Sequence, residues 1–222
     1  MTDFEPNQDV SDKFSLRGKV YHKLKEDILD GKYKDGDELR EIALSEEMGV
    51  SRTPLREAMR QLELEKLVKI IPNKGAYVTG ITEKDVRDIY MIRSALEGIC
   101  ARLATENITE EQLEAMEENV YLAEFHASRD HMEQLAELDN KFHHILYDAS
   151  DSKMLQNVLE EYHQYVIRIR RKTLSRAQRG RASNEEHRAI MEAIKCKDAQ
   201  EAARLATLHI NNAFDNIKLE GV

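Results

Sequence analysis

Two arginines one helical turn apart, Arg52 and Arg56, stand in the run Gly49-Val50-Ser51-Arg52-Thr53-Pro54-Leu55-Arg56-Glu57-Ala58. Side chains at i and i+4 share one face of a helix. A guanidinium matches guanine O6 and N7 with two prongs, a contact worth about 1–3 kcal/mol of discrimination. Ser51, Thr53 and the amides of a helix N-terminus suit phosphate. A second set of chemistry-bearing residues lies far along the chain. Asp139 and His143 are four apart, His187 shares a face with Ile190 and Ile194, and His209 falls between Leu205 and Ala213. These groups are polar where the pattern is apolar. A buried carboxylate with three imidazoles is costly unless paired or metal-bound. The set suits a divalent transition metal, Zn²⁺ first, with Ni, Mn or Fe as alternatives, and leaves positions open for water or a ligand. From spacing alone, the arginines also fit an ordinary solvated helix face, and any one histidine also fits a hydrogen-bonded core residue.

The arginines need a helix, and the flanking sequence supplies one. Leu16, Val20, Leu24 and Ile28 form a helical stripe that ends near Gly31. Residues 32–39 read as a polar turn. A short helix over 41–48 stops at Gly49, and Ser51 is placed to cap the next, with Pro54 tolerated in its first turn. That helix carries Leu55, Met59 and Leu62 and runs to about Lys66. Residues 68–71 and 76–79 read as two strands joined by Pro72-Asn73-Lys74-Gly75. Helix, helix, turn, helix and hairpin within 80 residues is the winged helix-turn-helix pattern, with Lys74-Gly75 at the wing tip.

From residue 79 onward the periodicity is helical. Helices are expected to about 106, from a Thr109/Gln112 capping box, over 129–149, 151–174, 184–196 (capped by Ser183 with Glu186) and 198–217 (capped by Asp198). The expected fold is mainly α: an N-terminal winged helix-turn-helix over 15–80, an all-α bundle of six or seven helices over 81–218, and a flexible tail over 1–14. The segment Arg168–Arg181 is rich in arginine; it reads as a solvated helix end and loop, with a dimer-contact or anion-binding role as the alternative. His22, His126, His131, His144 and His163 are expected at the surface or in packing.

Of 222 residues, 33 are Lys or Arg and 42 are Asp or Glu, for a net charge of −9. The charge is unevenly placed. Residues 51–78 carry six Lys/Arg against three Glu, whereas 79–222 carry 19 against 26. A local basic face on an acidic chain still binds nucleic acid, because phosphate responds to the local field. No apolar run approaches the roughly 20 residues of a membrane span, and the first 13 residues are acidic and polar, so a cytoplasmic protein is expected. Cys100 and Cys196 lack metal-type spacing and read as reduced thiols.

The run GVSRTPLREAMRQLELEKLV followed by KGAYV resembles the DNA-binding domain of the GntR family of bacterial regulators over about residues 15–80. The resemblance implies that Arg52 and Arg56 read bases and that Gly75 is the wing glycine. Ile42 stands where some members carry a further DNA-contacting arginine. Beyond residue 83, the pattern Arg93-x3-Glu97, Asp139-x2-Phe142-His143, Glu186-His187 and His209-Ile210 is similar to the FCD ligand domain of the FadR subgroup. That resemblance implies a metal held by Asp139, His143, His187 and His209, and an Arg93 that points into the pocket to pair with an organic acid. A surface salt bridge from Arg93 to Glu97 at i, i+4 is the alternative.

Together these readings imply a homodimeric regulator, most simply a repressor. It would bind a pseudo-palindromic double-stranded operator and respond to a small carboxylate effector. They require the two arginines to stand free at the edge of the first domain, neither folded inward nor bound permanently to neighbouring acids. Two rivals share the residues: a metal-dependent enzyme on a helical bundle, and a direct metal sensor. The first lacks a second carboxylate placed as general base and a nucleophile elbow.

Overall fold

The computed structural model describes residues 15–173 and 177–218; the side chains of 168–173, 177–179 and 218 fall outside that description, as do the expected tail and most of the Arg168–Arg181 cluster. Two compact units divide the chain, the second starting at Glu83.

The first unit holds α1 (Leu16–Leu29), β1 (Glu38–Leu39), α2 (Glu41–Met48), α3 (Arg52–Leu64), β2 (Val68–Ile71) and β3 (Gly75–Val78). Of the first stripe, Val20, Leu24 and Ile28 are buried, whereas Leu16 is exposed. Their helix packs on α3, where Leu55, Met59 and Leu62 are buried, and truncating a leucine in such a core costs about 2–5 kcal/mol. Ser15 caps α1 through its hydroxyl, which accepts from Gly18 N. Gly49 ends α2 at φ 64°, a conformation that glycine adopts without strain. Residues 32–39 are not wholly a turn. Glu38 and Leu39 add a third strand to the wing, in the order β1-β3-β2, all antiparallel. The buried Leu39 accounts for it: one apolar side chain docks the strand onto the core. Val68 pairs with Val78 and Ile71 with Gly75, so Asn73 and Lys74 form the exposed tip.

The second unit is helical throughout its described residues: α4 (Glu83–Asn107), α5 (Glu110–Ala127), α6 (Met132–Ala149), α7 (Lys153–Thr173), α8 (Ala177–Lys195) and α9 (Ala199–Lys218). Thr109 and Gln112 make a full capping box, and Asp198 Oδ1 accepts from Glu201 N at the start of α9. The helix expected over 184–196 begins earlier, at Ala177, so Ser183 is not its cap. Tertiary contacts carry the extra turns. Gly180 lies against Leu135, and Arg181 donates to the Ala127 carbonyl and pairs with Asp130. The core runs through Ala101, Met116, Phe142, Leu146, Leu159, Ile190, Ile194 and Ala206. α4 packs along α9 at close range around Gly98, where an added Cβ would meet Thr207 Oγ1 at 2.5 Å and the Ala203 carbonyl at 3.1 Å. No helix among the described residues is long and apolar enough to cross a membrane.

Candidate DNA-reading face and buried histidine cluster

In the first unit, α3 presents its N-terminus to solvent. Ser51 sits at the N-cap position in extended conformation, but its hydroxyl caps nothing. Ser51 and Thr53 are both exposed, as phosphate contacts require. Arg52 and Arg56 project beside them, each about half exposed. They are not free. Glu41, the first residue of α2, accepts from Arg52 Nε at 3.1 Å and Nη2 at 2.8 Å, and from Arg56 Nε at 2.9 Å. The hydrogen bond from Arg56 holds the Glu41 carboxyl below the usual range despite partial burial, and Arg52 adds to it. The expectation of unencumbered arginines is thus corrected. α2 and α3 meet at an angle that brings one carboxylate between two guanidiniums, a pairing invisible at 11 and 15 residues' separation. A groove of about 810 Å³ lies between α2, α3 and the wing, and Arg52, Arg56, Ile42 and Gly75 line it. Glu63 on α3 accepts from Ile70 N at 2.8 Å, which ties the wing to the same helix. Gly75 has φ 120°, where a side chain is strained and a Cβ would also press on Glu38.

In the second unit, three helices bring three imidazoles together. His143 of α6, His187 of α8 and His209 of α9 are all buried, and their donor nitrogens lie within 4.8 Å of one another. His187 Nε2 and His209 Nε2 are 3.3 Å apart. Two imidazole nitrogens at about 2.0–2.1 Å from a tetrahedral ion are separated by about 3.3 Å. The residues therefore fit a metal. Outer contacts orient them: Glu186 Oε2 lies 2.7 Å from His209 Nδ1, Asn212 donates to Glu186 Oε1, and Phe142 stacks on His187 with ring centroids 4.0 Å apart. Asp139 stands at the edge of the group. Its Oδ1 accepts from Ser183 Oγ at 3.0 Å and lies 3.7 Å from His187 Nε2, outside the three-histidine set.

Beside the histidines is a buried polar network on α4, α6 and α7. Arg93 does pair with Glu97 at i, i+4, but in the interior rather than on the surface. Its Nη2 also lies 3.2 Å from Tyr147 Oη and 3.4 Å from His163 Nδ1. Its Nε and Nη1, and the Tyr90 hydroxyl, are buried without a hydrogen-bond partner among the described residues. Glu97 accepts from the Tyr147 hydroxyl at 2.6 Å and lies 3.3 Å from His143 Nδ1. Burial pushes the Glu97 carboxyl upward, but the Arg93 charge and the Tyr147 hydrogen bond outweigh it and leave it lowered. His163, expected at the surface or in packing, is buried within this network, with Asn140 Oδ1 3.1 Å from its Nε2. The signal was present: Leu159 and Val166, four before and three after, are buried on its face. His126 and His131 form an exposed pair, and His144 is half exposed.

Comparison with known proteins bears on both units. The family model described as "Bacterial regulatory proteins, gntR family" matches residues 16–78, and that of the FCD domain matches residues 88–212. An uncharacterized HTH-type transcriptional regulator of Bacillus subtilis, YdhC, is 34% identical over 200 residues, which cover 89% of each chain. The HTH-type transcriptional repressor RspR of Escherichia coli is 28% identical, covering 98% of this chain and 92% of its own. Among solved structures, E. coli McbR/YncC superposes with a TM-score of 0.69 at 24% identity, covering 93% of this chain and 98% of its own.

Proposed function

We propose, for a chain that belongs to the GntR family of bacterial regulatory proteins and carries its FCD domain, that a small carboxylate held in the helical unit controls binding to an operator. The chain is a transcriptional regulator of this type and not an enzyme, as its relatives are. The finer reading is a repressor, acting as a homodimer on a pseudo-palindromic operator with one half-site per winged helix. Arg52 and Arg56 read guanine edges, Ser51, Thr53 and the α3 amides take phosphate, and Lys74 and Gly75 follow the adjacent groove.

The observation that carries the effector reading is the set of unsatisfied donors at Arg93. The Arg93 Nε and Nη1 groups and the Tyr90 hydroxyl are buried without acceptors among the described residues. Such groups cost about 1–3 kcal/mol each when left unpaired. An acceptor-rich anion satisfies them together, and Arg93 forks onto a carboxylate. His143, His187 and His209 would hold a divalent transition metal, Zn²⁺ by preference for this nitrogen set, with Asp139 at its edge. When bound, the ion supplies an open position for a ligand oxygen. Glu97 holds Arg93 in place from the other side, and Glu186 orients His209.

Effector and DNA are linked only if the effector binds the two arrangements of the protein unequally. The test is fluorescence anisotropy on a duplex selected by the protein from a random pool. Metal-loaded and chelator-stripped protein would each be titrated with a panel of small mono-, di- and hydroxy-carboxylates. Loss of DNA affinity with an acid, in loaded protein only, supports the reading. A shift produced by metal alone would favour a direct metal sensor, and no response to any acid in either state would overturn effector control.

A further inference from the structure

The contact that reaches furthest is the one between Glu41 and the two arginines. We propose that Glu41 is a positioning residue for DNA reading: it aims Arg52 and Arg56 and restrains their attraction to any phosphate, and so raises sequence discrimination at the expense of general affinity. This rests on Arg52 and Arg56 being the base readers.

The geometry supports the role in three ways. First, Glu41 takes Arg56 by its Nε, so both terminal nitrogens of Arg56, the pair that forks onto guanine, are left without a hydrogen-bond partner among the described residues. Arg52 is held by Nε and Nη2, which leaves Nη1 outside the contact with Glu41. Second, the carboxylate is anchored. Glu41 is the first residue of α2, where the helix N-terminus favours an acid, and its side chain is more buried than either arginine. Third, the charge is deliberate in its effect. Two cations around one anion leave a net +1 at the tip of α3, so general attraction to a polyanion is reduced while the forks are kept. Two long side chains that are ordered before binding also lose less freedom on contact.

Glutamine at 41 keeps the shape but turns one acceptor into a donor that faces N–H groups. It therefore cannot hold both guanidiniums, and it removes the restraining charge. Aspartate keeps the charge but shortens the reach.

The experiment compares full-length wild type, Glu41→Gln, Glu41→Asp, Arg52→Ala and Arg56→Ala. Two duplexes are used: one selected from a random pool by the wild-type protein, and one of mixed sequence, each over a salt series. For Glu41→Gln, mixed-sequence binding tightens, its log–log salt slope steepens by about one, and the ratio of selected to mixed affinity falls by about tenfold or more. Glu41→Asp lowers the same ratio while mixed-sequence affinity and salt slope stay at wild-type values, which separates aim from charge. Far-UV circular dichroism and thermal unfolding of each variant identify any loss of fold. If Arg52→Ala and Arg56→Ala lose discrimination while Glu41→Gln keeps the wild-type ratio, the positioning role is wrong and the base readers stand. If the arginine variants themselves keep the ratio, the base-reading assignment fails and takes this proposal with it.

Discussion

Glu186 Oε2 lies 2.7 Å from Nδ1 of His209, and this contact decides which nitrogen of that imidazole faces the histidine cluster. With Nδ1–H donated outward, the Nε2 lone pair is turned toward His187 Nε2. An imidazole tied to a carboxylate in this way is a fixed and more basic ligand.

Glu186→Gln is accordingly expected to weaken metal binding by about 10–100-fold, without abolishing it. Competition with a chromophoric chelator measures this directly. His187→Ala, which removes a ligand outright, should leave purified and metal-loaded protein substantially depleted by elemental analysis. Wild-type metal content in His187→Ala would remove the histidine cluster as the site.

Arg93 and Glu97 should behave as a buried pair. Arg93→Met strands the Glu97 carboxylate in the interior and is expected to destabilise the helical unit by about 3–5 kcal/mol. The double variant Arg93→Met with Glu97→Met should recover most of that loss, since a well-packed apolar pair often replaces a buried ion pair. Urea unfolding followed by circular dichroism reads both. Additive losses in the double variant would show that the two side chains act independently. Both variants should also lose the DNA response to carboxylates.

Lys74 at the exposed wing tip and Arg56 on α3 should fail differently. Lys74→Ala is expected to weaken all duplexes about equally and to reduce the salt slope by about one. Arg56→Ala should cost about 1–3 kcal/mol on a selected duplex and flatten preference at one base position. Parallel binding to selected and singly mutated duplexes distinguishes them. A sequence-dependent loss in Lys74→Ala would place the wing among the base contacts.

Asp27 supplies an acid-sensitive element. Burial pushes its carboxyl upward, but hydrogen bonds from Lys23 and Lys32 outweigh this and lower it below its ordinary 3.8. A lowered carboxyl contributes stability above its unfolded value and loses it as pH falls through the folded value. Both lysines are about half exposed, so solvent screens much of that contribution. Asp27→Asn should therefore speed amide hydrogen exchange in α1 at pH 7, and the difference from wild type should shrink steadily below pH 4. A gap that stays constant from pH 7 to pH 3 would show that the ion pairs contribute nothing.

What could be read from the chain follows the range of the forces involved. Gly49, the 109/112 capping box and the strand at 68–71 act over a few residues, and each stands where periodicity put it. The second-unit histidines at 143, 187 and 209 were marked because each interrupts an apolar stripe, and the bundle brings all three together. Contacts made only in three dimensions stayed hidden. Leu39 recruits a third strand, Gly180 and Arg181 lengthen α8 across Ser183, and Glu41 reaches the arginines from another helix. His163 shares its helix face with the buried Leu159 and Val166, but its partners Arg93 and Asn140 come from other helices and no local spacing marks them.

The backbone contact at Gly98 bears on what the helical unit can recognise. Because nothing larger than hydrogen separates α4 from α9 there, the guanidinium of Arg93 and the ring of His209 hang from two rods welded at one point. Under the proposed effector control, a bulkier acid would meet a seam already closed at Gly98. Room for it has to be made on the opposite wall, by α6 and α8, where Asp139 and Ser183 meet. If the proposed effector control holds, side chains along that wall are the ones whose substitution should change the preference among acids of different length.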